Sequence, residues 1–165
     1  MSIIEPMMME FATESQKTRS LLERAPEEHF GWRPHEKSMT MGRLASHLAE
    51  IPAWAVMILN TDEFSMNMDD YKRFEAESVQ ELLEVFDRNC VNAAEAMKDR
   101  SDEYMGQIWR MKIDGRLAYE ATRSEFIRGM ILNHAIHHRG QFDVYLRLKD
   151  VPLPAIYGPS ADVGR

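Results

Sequence analysis

Cysteine is almost absent from this chain, and long apolar runs are missing. Cys90 is the only cysteine among 165 residues, which excludes an internal disulfide framework. No apolar stretch approaches the roughly 18 residues needed to cross a bilayer, so we expect no membrane partner. The first residues, Met1 to Pro6, carry neither the positive charge nor the apolar segment of an export signal. We therefore expect a cytoplasmic protein.

A surplus of positive charge is also lacking, since the formal net charge is −7 at pH 7. Nucleic-acid binding needs a clustered basic surface, and only Arg123, Arg128 and Arg139 suggest one. Scattered arginines usually form ion pairs, so we expect no nucleic-acid partner. With 44% hydrophobic and 28% charged residues, the composition is typical of a globular protein. The length predicts a single domain over residues 1–165.

The spacing of apolar residues predicts four long helices. We place them at about 5–24, 38–59, 78–98 and 122–148. Ser38 or Thr40 is expected to cap the second helix, and capping-box patterns at Ser78 and Thr122 open the third and fourth. Pro52 lacks the N–H that would continue the second helix, so we expect a kink there.

The connections between these helices carry weaker signals. Residues 107–121 alternate around Asp114 and Gly115, which indicates a short hairpin before the last helix. Residues 60–77 are interpreted as a polar connection without regular structure. The tail after Val151 is rich in proline and is expected to lie over the helices or to serve as a contact arm. The predicted fold class is therefore all-α with at most this hairpin.

Half of the six histidines lie within residues 133–141. His134 and His138 are four residues apart, so on a helix they project from one face, one turn apart, and can converge on one metal ion. His137 lies about 60° off the line through these two residues. We assign it to the rim of the site or to a hydrogen bond with one of the metal ligands.

His47 is the third candidate ligand. It lies on the core-facing side of the second helix, beside Leu44, Leu48 and Ile51. Three core-facing imidazoles each need a polar partner, and a shared metal ion would satisfy all of them. The alternative is that each is a packing residue with its own hydrogen bond. Glu50, three residues after His47, would join the ligands or hydrogen-bond to one of them.

Two motifs carry a family resemblance. One is Lys37-Ser38-Met39-Thr40 followed by His47-Leu48-Ala49-Glu50, and the other is the string H-A-I-H-H-R-G-Q at residues 134–141. With the Tyr157-Gly158-Pro159-Ser160 tail, they resemble the DinB-like superfamily, which includes the bacillithiol S-transferase-like enzymes. The resemblance spans nearly the whole chain.

The resemblance implies a four-helix bundle in up-down-down-up order, with a long crossover between its second and third helices. It also implies a homodimer and one divalent metal ion, zinc or nickel, bound by three histidines. Carried onto this chain, these metal ligands are His47, His134 and His138.

Three nitrogen ligands leave a coordination position open, as in catalytic rather than structural zinc sites. A metal there would lower the pKa of a bound water or thiol, so hydrolysis and thiol transfer both fit. The resemblance favours transfer of a low-molecular-weight thiol to an electrophile through a metal-bound thiolate. Because no general acid or base is identifiable, a stress-response protein that binds metal without turnover is the third alternative.

Several further residues near these motifs have two interpretations. Trp54, Gln141 and Tyr145 would either line a substrate pocket or pack in the core. Arg139 departs from the inward face and is expected to pair with an acidic side chain or a subunit neighbour. Cys90 lies on the apolar stripe of the third helix, so we expect a small buried residue rather than a nucleophile.

Overall fold

The computed structural model describes residues 2–70 and 72–163 and is mostly helical. Its helices are α1 (Ile4–Leu22), α2 (Met41–Asn60), α3 (Val79–Met97), α4 (Asp102–Met105), α5 (Arg123–Phe126) and α6 (His134–Arg147). A π-helical segment, Ile127–Asn133, joins α5 to α6 and makes one continuous helical run. Each helix predicted from apolar spacing is present. Among the described residues, none of the helices combines the length and apolarity that crossing a membrane requires.

Side-chain caps fix where the helices begin. Thr40, Ser78 and Thr122 each accept a hydrogen bond from the backbone N–H three residues further on. At Thr122 the box is complete, since Glu125 also bonds back to the Thr122 backbone. α2 continues through Pro52 to Asn60, and the kink expected there stays a prediction.

A three-stranded sheet corrects the all-α prediction. Its strands are β1 (Glu63–Met66), β2 (Ile108–Ile113) and β3 (Arg116–Thr122), in the order β1-β2-β3. β2 and β3 form the predicted hairpin, with Asp114 and Gly115 both at positive φ, as a two-residue turn of the primed type requires. The all-α class is therefore incomplete, although the hairpin itself is confirmed.

Strand β1 lies within residues 60–77, for which the sequence predicts a connection without regular structure. It pairs in parallel with β2 and sets Phe64 opposite Met111. Only Phe64 and Met66 alternate inward along its four residues, which is too short a pattern to separate a strand from a loop. Its partner lies more than forty residues away in sequence.

The core is formed by α2 packed against α3 and α6, with α1 packed against α3 and α6. On α6, Phe142 is fully buried, whereas Leu148 is exposed. Leu148 lies beyond the end of α6, where the chain turns away from the core. The up-down-down-up order of a four-helix bundle stays a prediction.

A buried arginine joins the sheet to the end of α2. Arg123 is 1% exposed and donates hydrogen bonds to the carbonyl oxygens of Ile58 and Thr61 and to Asp62 Oδ1. A cation at the carboxyl end of a helix satisfies carbonyls that the helix leaves unpaired. Trp109 of β2 donates from Nε1 to Thr61 Oγ1 at 3.1 Å. These bonds fix β1 and β2 beside α2.

The tail after α6 lies over the helices, which confirms the first of the two predictions for it. Tyr157 donates its hydroxyl proton to Glu14 Oε2 at 2.6 Å and accepts a hydrogen bond from Arg139 Nη2 at 2.7 Å. Leu153 is buried nearby. α1, α6 and the tail are therefore tied together through one carboxylate.

Candidate metal centre

Three histidines from two helices converge on one point. His47 projects from α2, whereas His134 and His138 project from the first turns of α6. The Nε2 atom of His134 lies 3.3 Å from Nε2 of His47 and 2.7 Å from Nε2 of His138. The three ligand atoms all lie within 4.8 Å of one another. The structure therefore brings together the residues that helical spacing had selected.

The outer nitrogens of the α6 histidines are occupied. His138 Nδ1 lies 2.7 Å from Gln141 Oε1, and this oxygen can only accept, so Nδ1 carries the proton. His134 forms a hydrogen bond with the backbone of Met130, inside the π-helical segment. The two Nε2 atoms approach each other to 2.7 Å. When both rings carry their proton on Nδ1, two lone pairs face each other there, and a cation between them removes the repulsion.

A proton does not supply that cation at neutral pH. Burial, together with charge repulsion from the neighbouring histidines, lowers the pKa of His134 to about 4. Burial likewise lowers the pKa of His138 to about 4, against the opposing effect of its hydrogen bond with Gln141. Both rings are neutral at pH 7, which is the form that binds metal.

The donor set fits a divalent transition metal. Two nitrogens bound to one tetrahedral zinc at about 2.0–2.1 Å lie roughly 3.3 Å apart. The separation between His47 and His134 is 3.3 Å, and that between His134 and His138 is shorter, at 2.7 Å. Three neutral imidazoles suit zinc, nickel, copper and iron, so the ligands alone do not select among these metals.

An ion pair lies behind His47, on the side away from the other histidines. Nδ1 of His47 is 3.5 Å from Arg43 Nη2 and 3.7 Å from Glu50 Oε2. Arg43 and Glu50 approach to 2.9 Å, and the Phe74 N–H donates to Glu50 Oε1 at 3.0 Å. Burial raises the pKa of Glu50, but His47, Phe74 and Arg43 together lower it, so it stays a carboxylate. Glu50 therefore lies beside the nitrogen of His47 that faces away from the other two histidines, and it is not one of the converging ligand atoms.

A cavity of about 520 Å³ opens beside His47. Six of the thirteen methionines line it: Met39, Met57, Met66, Met68, Met111 and Met130. Phe64 of β1 and Trp109 of β2 belong to the same wall, so the strand that sequence reasoning missed forms part of this site. The high methionine content, 13 of 165 residues, is the sequence signal for this cavity.

The sequence model of the DinB family matches residues 2–163. This chain belongs to the DinB family. A relative in Bacillus subtilis strain 168, the uncharacterized protein YrdA, is 26% identical over 155 residues, which cover 90% of this chain and 84% of YrdA.

Two solved structures share the fold of this DinB family chain. A DinB-like protein from Bacillus cereus ATCC 10987 superposes with a TM-score of 0.70 at 19% identity and covers 93% of this chain and 97% of its own. YjoA, a DinB-like protein from Bacillus subtilis, gives a TM-score of 0.69 at 19% identity, covering 94% and 100%. At this identity the likeness establishes the fold alone.

The other candidate residues near the site of this DinB family protein have different surroundings. Trp54 lines the cavity, and its ring centroid is 5.6 Å from that of His47 and 5.4 Å from that of His134. Tyr145 is buried instead, and it packs edge-on against Trp32. Gln141 holds His138, and His137 is exposed at the rim, as its spacing predicted.

Arg139 and Cys90 have structural roles. Arg139 is 2% exposed and pairs with Glu14, so the predicted acidic partner is confirmed. Arg123 is buried too, and Arg128 pairs with Glu10, so these three arginines do not share one surface. Burial raises the pKa of the Cys90 thiol to about 11, which leaves it a poor nucleophile at neutral pH.

Proposed function

We propose that this protein binds one divalent metal ion, zinc or nickel, through His47, His134 and His138, and that it transfers a low-molecular-weight thiol to an electrophilic substrate. The observation that carries the metal assignment is the convergence of three imidazole nitrogens within 4.8 Å of one another. When bound, the ion would lower the pKa of a thiol or water at its open coordination position.

The residues around the histidines support chemistry on an organic substrate. The methionine-lined cavity presents a mostly apolar wall beside His47, where a substrate would approach. In the transfer, the thiol loses its proton to solvent and its sulfur forms a bond to the electrophilic carbon. The leaving group departs with the electron pair of the bond that breaks.

The alternative hydrolytic function has less support. A hydrolase gains from a general base that orients and deprotonates water. Among the described residues, the lining of the cavity contains no aspartate or glutamate, and Glu50 is held by Arg43 and Phe74. A thiol needs no such base, because a metal ion alone lowers its pKa sufficiently.

Elemental analysis tests the metal assignment. We expect about one zinc or nickel ion per chain after remetallation, and loss of this metal in His47→Ala, His134→Ala and His138→Ala. His137→Ala is the matched control, since its side chain is exposed at the rim of the same helix, and it should keep its metal. Metal well below one equivalent in the remetallated wild-type protein would exclude the site.

Turnover separates a transferase from a protein that only binds metal. We expect the metal-loaded protein to conjugate a small thiol to monochlorobimane, with activity lost in His47→Ala and kept in His137→Ala. If the protein binds metal in full but conjugates no thiol, the non-catalytic alternative is supported instead.

The homodimer implied by the family resemblance belongs to the same proposal. Met9 on α1 and Val91 on α3 are 74% and 63% exposed, so a dimer interface on these helices would bury apolar surface. Light scattering at micromolar concentration should give twice the chain mass of 19.2 kDa. A monomer mass would contradict the dimer without affecting the metal site.

A further inference from the structure

We infer that the cavity beside His47 binds an amphiphilic organic anion, with an apolar body among the methionines and an anionic group on Arg73. This inference rests on the proposed function, because it names the chemical class of the electrophilic substrate. It concerns residues outside the three-histidine group, so it can be tested without metal.

The shape and lining of the cavity favour an apolar organic body. Its volume of about 520 Å³ falls within the roughly 300–1,000 Å³ typical of small-molecule sites. Methionine is unbranched and polarizable, so a wall built from six of them adapts to bodies of different outline. Trp54 and Phe64 add flat aromatic surface beside the histidines.

The charges at the cavity are of one sign. Arg43 and Arg73 line it, and the described lining includes no carboxylate. Arg43 is already neutralised by Glu50 at 2.9 Å and donates to the Phe74 carbonyl oxygen at 3.2 Å. Its charge therefore adds little attraction for a ligand.

Arg73 is the cation available to a ligand. It is exposed, and the ion pairs found within residues 2–70 and 72–163 do not include it. A guanidinium presents a planar fork of donors that matches a carboxylate, sulfonate or phosphate. An anion held there also fixes the apolar body along the cavity toward His47, and such orientation lowers the entropic part of a reaction barrier.

Calorimetric titration with octanoate tests this inference on protein freed of metal by a chelator. We expect octanoate to bind, and Arg73→Gln to weaken that binding about three- to tenfold, since Arg73 is exposed and its contribution is screened. Arg116→Gln removes an exposed arginine of β3 outside the cavity and should change nothing. Octanol, which has the same apolar body without the charge, should bind wild-type and Arg73→Gln proteins equally.

A second pair of variants locates the site. Met68 lines the cavity and is 45% exposed, so Met68→Glu introduces a negative charge there without disturbing the core. We expect it to weaken octanoate binding, whereas Val144→Glu, at a 55% exposed position on α6 outside the cavity, should leave it unchanged.

Two outcomes would overturn the inference. One is octanoate affinity that neither Arg73→Gln nor Met68→Glu reduces, and the other is octanoate binding that appears only when metal is present. Both leave the metal assignment intact. Conversely, a protein that takes up no metal yet binds octanoate through Arg73 would refute the proposed function and uphold the inference.

Discussion

Gln141 Oε1 accepts a hydrogen bond from Nδ1–H of His138 across 2.7 Å, one turn further along α6. Because the bond fixes which nitrogen of His138 carries the proton, it turns the Nε2 lone pair toward His134 and His47. The Gln141 amide is exposed and contacts neither of the other two histidines. It nevertheless determines which nitrogen of His138 is free to bind a metal ion. Such outer partners of metal-binding histidines raise affinity by orienting the ring.

Replacing Gln141 should weaken metal binding while the three histidines remain. Gln141→Leu removes the oxygen that accepts the hydrogen bond from Nδ1 of His138. We expect zinc affinity, measured in competition with a chelating dye, to fall about 10- to 100-fold. Gln16→Leu, at an exposed position on α1, is the matched control and should bind as the wild-type protein does. Equal affinities for the two variants would show that His138 is oriented by other contacts.

Metal should also stabilise the folded protein, since an unfolded chain does not assemble the three histidines. At a free zinc concentration 100 times the dissociation constant, the stabilisation is about 2.7 kcal/mol. For a chain of this size, that corresponds to a rise in Tm of roughly 5–10 °C. Thermal unfolding with and without a chelator measures it. His138→Asn should abolish the rise and His137→Asn should keep it; a rise of the same size in both would place the zinc elsewhere.

The histidine group could be predicted because each part of it depends on local spacing. His134 and His138 share a face by being four residues apart, and His47 lies on an apolar stripe of α2. Facing helices bury such stripes against each other, so the three rings had to approach. No long-range pairing needed to be known.

The cavity wall could not be predicted in this way. Phe64 and Met111 become neighbours only when β1 pairs in parallel with β2, and neither strand shows by itself which partner it will take. The buried Arg123 that holds these strands to α2 lies in what the sequence presents as an ordinary capping box. Arg123 is buried because the sheet packs against the end of α2, and the sequence gives only a weak indication of that sheet.

Arg123 should therefore be far more sensitive to substitution than its charge suggests. In Arg123→Met the carbonyl oxygens of Ile58 and Thr61 lose their donor while staying beside the sheet. We expect the free energy of unfolding in urea to fall by about 2–4 kcal/mol. Arg128→Met removes only a half-exposed ion pair with Glu10 and should cost less than about 1 kcal/mol. Comparable losses in the two variants would contradict a role for Arg123 in holding the end of α2.

Glu14 should make the protein sensitive to acid. Burial raises the pKa of Glu14, but hydrogen bonds from Tyr157, Lys17 and Arg139 outweigh it and lower the pKa to about 2. A carboxyl whose folded pKa lies below its unfolded value stabilises the fold above the unfolded pKa, here 4.5, and loses that contribution as the pH falls toward 2. The shift corresponds to about 3 kcal/mol at neutral pH.

Comparing wild type with Glu14→Gln isolates this contribution, because every other titrating group is common to both proteins. We expect the wild type to be more stable in urea by up to about 3 kcal/mol at pH 6, and the difference to shrink steadily between pH 4.5 and pH 2.5. The exposed Glu28→Gln should show no such convergence. A difference that stays constant over this range would mean that Glu14 acts through packing, and that its charge does not tie α6 and the tail to α1.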